Sequence, residues 1–211
     1  MNKYLKKVIP LFVVLLVLYL ILTPHLDVNK YKKIYIENPN PHTLFDLCNV
    51  AAYCYNYSDF YKYSKEFFDN YGVNEIEEVY KDISKKEVDE IFDVFLAEFL
   101  VKSTKQKHIS QEEFNEYIFL FRDDAFFVKT LVKYVDKYYL IDSSIKIFLE
   151  YLNNSLEVAT NYTQEMTIYV LQIYLYEDLN DDIALEKAIN NSKSITQEYY
   201  AERQSRQLGN G

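Results

Sequence analysis

Only three glycines and four prolines occur in 211 residues, and three of those prolines fall within the first 39. Sheets built from short strands need Gly, Pro or Asn-Gly punctuation roughly every 8–12 residues. After Pro41 the chain has one glycine, Gly72, before the last three residues. The sequence therefore predicts an all-α fold: long helices joined by short polar connections. A hydrophobic content of 49% is too high for a disordered chain.

One stretch stands apart. Val8 to Leu22 reads VIPLFVVLLVLYLIL without a charge, preceded by Lys3, Lys6 and Lys7 and closed by Thr23-Pro24. An apolar run of about 15 residues is short for a spanning helix and long for a signal core. Recruiting Tyr4, Leu5 and Thr23, with the lysines snorkelling, extends it towards spanning length. Residues 21–26 offer no small-residue pair for a signal peptidase. The expectation is an uncleaved transmembrane anchor over residues 1–23, with Val8, Leu11, Phe12, Leu15, Leu16, Tyr19 and Leu22 in lipid. A cleaved secretory signal and a buried terminal helix are the competing readings. Three lysines flank each side, those on the amino side closer, which points to an amino end inside and an extracytoplasmic helical domain.

Residues 24–40 read as a linker, and the alternation Tyr31, Lys33, Tyr35 against Lys32, Ile34, Ile36 hints at a short extended piece. Pro41 suits the first position of a helix. Leu44, Leu47, Cys48, Ala51 and Ala52 then share one helical face up to about Tyr55. Ser58 is placed to cap a second helix with Phe60, Tyr63, Phe67 and Tyr71 inside, and Gly72 stands where a left-handed stop is wanted. This αα-hairpin resembles a tetratricopeptide-like repeat. Val50-Ala51 and Cys54 lie in its first helix, and Phe60, Tyr63 and Phe67 match the spacing of its second. The resemblance implies a helical-repeat array over residues 41–202, packed through these six residues, that docks a protein or peptide on a concave face.

Further along, Ser84-Lys85-Lys86-Glu87 and Ser110-Gln111-Glu112-Glu113 are capping boxes. Helices are predicted from each of them, from Asp124, and from Asp142 or Ser143, with a turn at Asn153-Asn154. Two more are predicted from Thr163 and after Asn180-Asp181-Asp182. Residues 203–211 read as a flexible polar tail.

The net charge is −9, and the first 23 residues hold three lysines and no acid, so the remainder is more acidic still. Phosphate backbones repel such a surface, which argues against nucleic acid. His25, His42 and His108 are isolated, without the spacing a metal site needs. Cys48 and Cys54 lie about 9 Å apart along one helix and on different faces, too far for a disulfide. Asp178, Asn180 and Asp182 imitate the opening of a calcium loop, but Ile183 and Ile189 stand where Gly and Glu are required. The pairs Glu112-Glu113, Asp123-Asp124 and Asp181-Asp182 sit at helix starts, where the dipole favours acids. No catalytic motif, cofactor loop or metal set emerges. The function expected is that of a membrane-anchored scaffold for a protein partner, with no enzymatic activity. The alternative is a module for a small apolar or lipidic ligand between aromatic-rich helices.

Overall fold

The computed structural model describes residues 27–139 and 142–209. The anchor residues Val8, Leu11, Phe12, Leu15, Leu16, Tyr19 and Leu22 lie outside that range. Among the described residues no helix is long and apolar enough to cross a membrane. All regular structure among them is helical, as the scarcity of Gly and Pro requires.

Helix α1 covers residues 27–37. It is followed by α2 (Pro41–Tyr53), α3 (Tyr57–Asn70), α4 (Val73–Val79), α5 (Lys85–Lys105), α6 (Gln111–Tyr117) and α7 (Asp124–Tyr138). Then come α8 (Asp142–Ser155), α9 (Tyr162–Asp178) and α10 (Asp182–Gly209). The chain divides into two compact units that meet in sequence at Lys81 and Asp82.

In the first unit α2 and α3 form a tight antiparallel hairpin. Phe45 meets Phe67 with ring centroids 5.6 Å apart, and Leu44, Leu47, Cys48 and Ala51 are fully buried with Phe60 and Phe67. Helix α1 runs beside α3 in the same direction. Lys32 pairs with Asp59 at 2.6 Å, and Tyr35 donates to Glu66 at 2.5 Å. Part of the expected linker is therefore helical: the period-two pattern of residues 31–36 is overridden by packing of Val28 and Tyr35. Gly72 also departs from expectation. Its φ is −157°, extended, and its N–H donates to Glu75 Oε2 at 2.7 Å at the start of α4.

Left-handed stops are made instead by Tyr55 (φ 55°), Lys107 (φ 54°) and Asn180 (φ 52°). All three close the same device. The N–H of the left-handed residue reaches back three residues, to Ala52, Thr104 and Glu177. The next N–H reaches back five, to Ala51, Ser103 and Tyr176. This pair of hydrogen bonds satisfies carbonyls in the last turn of α2, α5 and α9.

In the second unit α5 is the central element. It buries Phe92, Phe95, Leu96, Phe99, Leu100 and Val101, far more than the single stripe its periodicity suggests. Helices α5, α7 and α9 begin at Lys85, Asp124 and Tyr162, a recurrence of 38–39 residues. Cross-links show that they run side by side in one direction. Asp93 of α5 holds the amino end of α7, whereas Val101 accepts from Tyr139 just past its carboxyl end. Helices α7 and α9 share one groove at their amino ends and a carboxyl pair, Asp136 with Asp178, at their carboxyl ends. Helix α10 folds back antiparallel on α9, stacking Tyr199 on Tyr162 with centroids 4.3 Å apart.

Two further expectations change. Asn153 and Asn154 lie inside α8, exposed on a turn whose Leu152 and Ser155 are buried. The region from Arg203 is helical through Gly209.

Candidate functional site

The row of co-directional helices creates an open, largely apolar groove in the second unit. On α7, Phe127, Leu131 and Val135 point into the core, leaving Val128 and Val132 one turn apart on its shoulder. On α9, Ile168, Leu171 and Leu175 are buried. Tyr162, Met166, Val170 and Tyr174 recur every four residues on the neighbouring stripe. These two shoulders line a groove of about 650 Å³. Thr163 and Thr167 add hydroxyls to the α9 wall, and Asp124 and Lys129 stand on the α7 wall. Tyr174 is half exposed.

The groove's α7 wall is fixed from α5. Asp93, fully buried, accepts the N–H of Arg122 at 2.8 Å and of Asp123 at 2.9 Å. Asp123 Oδ1 in turn accepts the Phe126 N–H and caps the helix. The Arg122 guanidinium lies over the Phe92 ring at 5.5 Å. Burial pushes the Asp93 carboxyl up to about 6, against the pull of its two N–H donors, with Asp123 and Asp89 adding like charge. At the far end Asp136 is also raised, by burial and then by Asp178, to which it is hydrogen-bonded. The carboxyl–carboxyl hydrogen bond across the two helices favours the protonated form of Asp136.

Across the α7 crest from this groove lies a second hollow, about 320 Å³, between α5 and α7. Val94, Phe126, Thr130 and Tyr134 form its floor, and Lys129, Lys133 and Lys137 stand along it. Lys129 borders both hollows. The Lys137 ammonium lies 5.1 Å from the Tyr138 ring centroid, and the Tyr134 and Tyr138 rings are stacked. A third hollow, beside the Tyr162–Tyr199 stack, is bordered by Glu165, Glu198, Glu202 and Arg203.

The six residues singled out by the repeat resemblance all belong to the first unit's hairpin. Ala51, Phe60, Tyr63 and Phe67 are buried, and Val50 and Cys54 are half-buried. None lines these hollows. Cys48 and Cys54 are free thiols, and burial raises the Cys48 thiol far above its usual range, leaving it inert at neutral pH. His42 pairs with Asp46 one turn on, at 3.2 Å. Asp181 Oδ1 accepts the Ala184 N–H as a helix cap. Among the described residues no group of three or more His, Cys, Asp or Glu is placed to hold a metal ion.

Sequence reasoning passed over Lys129, Lys133 and Lys137. Their four-residue spacing puts them on one helical stripe, and the signal lay in that spacing within an acidic chain. The groove had no such signal, because its walls come from segments almost 40 residues apart. The fold and these surfaces define a protein that is all-helical among the described residues, with an apolar groove between parallel helices. No protein family, no curated protein and no solved structure matches the chain.

Proposed function

We propose that this protein is a membrane-tethered helical scaffold that docks another polypeptide in the groove between α7 and α9. The observation that carries this reading is the groove itself: an apolar stripe on α9 that the fold leaves uncovered, facing a matching shoulder on α7. A soluble helix normally buries such a stripe. The recurrence of α5, α7 and α9, and the same helix stop at Tyr55, Lys107 and Asn180, support a helical-repeat architecture. Stacked repeats of that kind present extended grooves. The apolar run of Val8 to Leu22 supports a tether, which would raise the effective concentration of the scaffold for partners at the same membrane. The groove is open along one side, which favours a polypeptide ridge over an enclosed small lipid.

A photo-reactive amino acid placed at Val132 or Val170 of the full chain, expressed in its own cell, tests the reading. The expected result is one defined polypeptide adduct from both positions and none from exposed Glu157. Adducts with lipid alone would shift the assignment to the apolar-ligand alternative. The absence of any adduct would overturn docking at this groove.

A further inference from the structure

We infer that the polypeptide docked on α7 is an acidic amphipathic segment, gripped by Lys129, Lys133 and Lys137; this inference rests on the docking reading above. Charge carries it. The chain is net −9, and several of its lysines pair with carboxylates. Lys32 pairs with Asp59, Lys33 with Glu37, Lys65 with Asp69, Lys86 with Glu90 and Lys102 with Glu98. The α7 trio does not. Among the described residues Lys129, Lys133 and Lys137 have no carboxylate partner, and they stand exposed in a row about 12 Å long. Three unpaired ammonium groups on one stripe repel one another, and an acidic molecule would relieve that.

Their position beside the apolar surface sets the shape of the ligand. Lys129 belongs to the groove and to the hollow across the crest. A segment whose apolar residues enter between Val132 and Val170 therefore meets Lys129 at the groove edge, and a flank that crosses the α7 crest meets Lys133 and Lys137. A helix of about three turns matches the 12-residue span from Tyr162 to Tyr174 along α9. Such a helix needs apolar residues at i, i+3 or i+4 and i+7, with Asp or Glu on one flank.

An anionic bilayer is the competing partner, and two observations disfavour it. Val128 is nearly buried, so the apolar surface is recessed, and a flat lipid surface cannot enter it. The net negative charge of the protein also opposes approach of a whole anionic membrane, whereas a short peptide feels chiefly the lysines within a Debye length of about 8 Å.

The test selects binders from a phage library of random 14-residue peptides, using the full chain in detergent micelles. An acidic protein selects basic peptides by default, so the expected outcome is distinctive: enriched sequences with Asp or Glu three or four apart beside apolar positions. Synthetic peptides of that consensus should bind the variant with Lys129→Glu, Lys133→Glu and Lys137→Glu about tenfold or more weakly. Their affinity for the native chain should also fall as salt rises. All three lysines are exposed, and an unchanged helical circular dichroism spectrum excludes misfolding. Enriched peptides without acidic bias, or acidic peptides whose affinity ignores the triple substitution, overturn the inference. Binding of phosphatidylserine vesicles through the same lysines without peptide enrichment overturns it in favour of lipid. The Val132→Asp, Val170→Asp variant separates the two levels. If it abolishes peptide binding while the lysine variant does not, groove docking stands and the charge assignment falls. If no peptide is enriched at all, both fall.

Discussion

Asp93 is the side chain whose environment most opposes its ordinary state. It is fully buried, its carboxyl is raised to about 6, and its two oxygens hold the Arg122 and Asp123 N–H groups. A folded-state value above the unfolded one means that the native protein binds the extra proton more readily. Stability assigned to this group is therefore full below about pH 4 and declines as pH rises towards 6, by at most about 3 kcal/mol. Asp93→Asn removes the charge but leaves one backbone N–H without an acceptor, a loss of about 1 kcal/mol that does not vary with pH. In urea unfolding, native protein should lose ground to the variant between pH 4 and 7. Parallel curves, or a native protein that gains over that range, would show that the two N–H donors outweigh burial. Lys107 offers a second test. Its left-handed backbone costs an ordinary side chain about 1 kcal/mol or more, which glycine avoids at some entropic cost in the unfolded chain. Lys107→Gly should raise the unfolding free energy by roughly 0.5–1 kcal/mol. Asn180→Gly should change little, since Asn tolerates that conformation. Equal effects at the two sites would refute this account.

At the scale of elements, what the sequence revealed was governed by local chemistry. Ser84 with Glu87 and Ser110 with Glu113 form reciprocal caps in the structure, because both partners lie within four residues and need nothing else. Where two polar neighbours compete, sequence leaves the choice open. The sequence points to Ser58 as a cap and to a helix opening at Asp124, whereas Asn56 and Asp123 are the capping residues. Asp123→Ala should therefore cost about 1 kcal/mol in thermal unfolding, while Asp124→Ala should cost only a few tenths through the helix dipole. The reverse order would place the cap one residue later. Misread elements share a different cause. Helix α1 has the alternation of a strand but packs against α3 through Tyr35 and Lys32. Asn153-Asn154 has the composition of a turn, yet Gln172 of α9 donates to Asn153 Oδ1 at 2.7 Å. In both cases a partner distant in sequence overrides local preference. Gly72 was misassigned because the chain makes its left-handed stops with Tyr, Lys and Asn, leaving glycine free for an extended position.

At the scale of the molecule, an all-α architecture followed from composition, but the co-directional row of α5, α7 and α9 did not. Each helix shows its own period, whereas the 38–39-residue recurrence carries no repeated residues that mark it. The groove is a product of that row, so only the lysine stripe along its crest was open to detection beforehand. The tether, by contrast, rests wholly on the residues from Val8 to Leu22 and is testable without knowing the partner. An acidic protein is not held on an anionic membrane by its charge, and alkaline carbonate strips proteins held by surface contacts. If the full chain stays with membranes through a carbonate wash, buried apolar residues must hold it. The full chain should remain in the pellet and enter solution only with detergent. A variant beginning at Asp27 should move to the supernatant and stay helical through the elements of residues 27–209. Leu15→Arg with Leu16→Arg should weaken insertion, because each arginine near the centre of a spanning helix costs about 2.5–3.5 kcal/mol on insertion scales. Release of the unmodified chain by carbonate would refute the tether. Mature protein beginning after Pro24 would identify the same run as a cleaved signal, and the scaffold would then act free of the membrane.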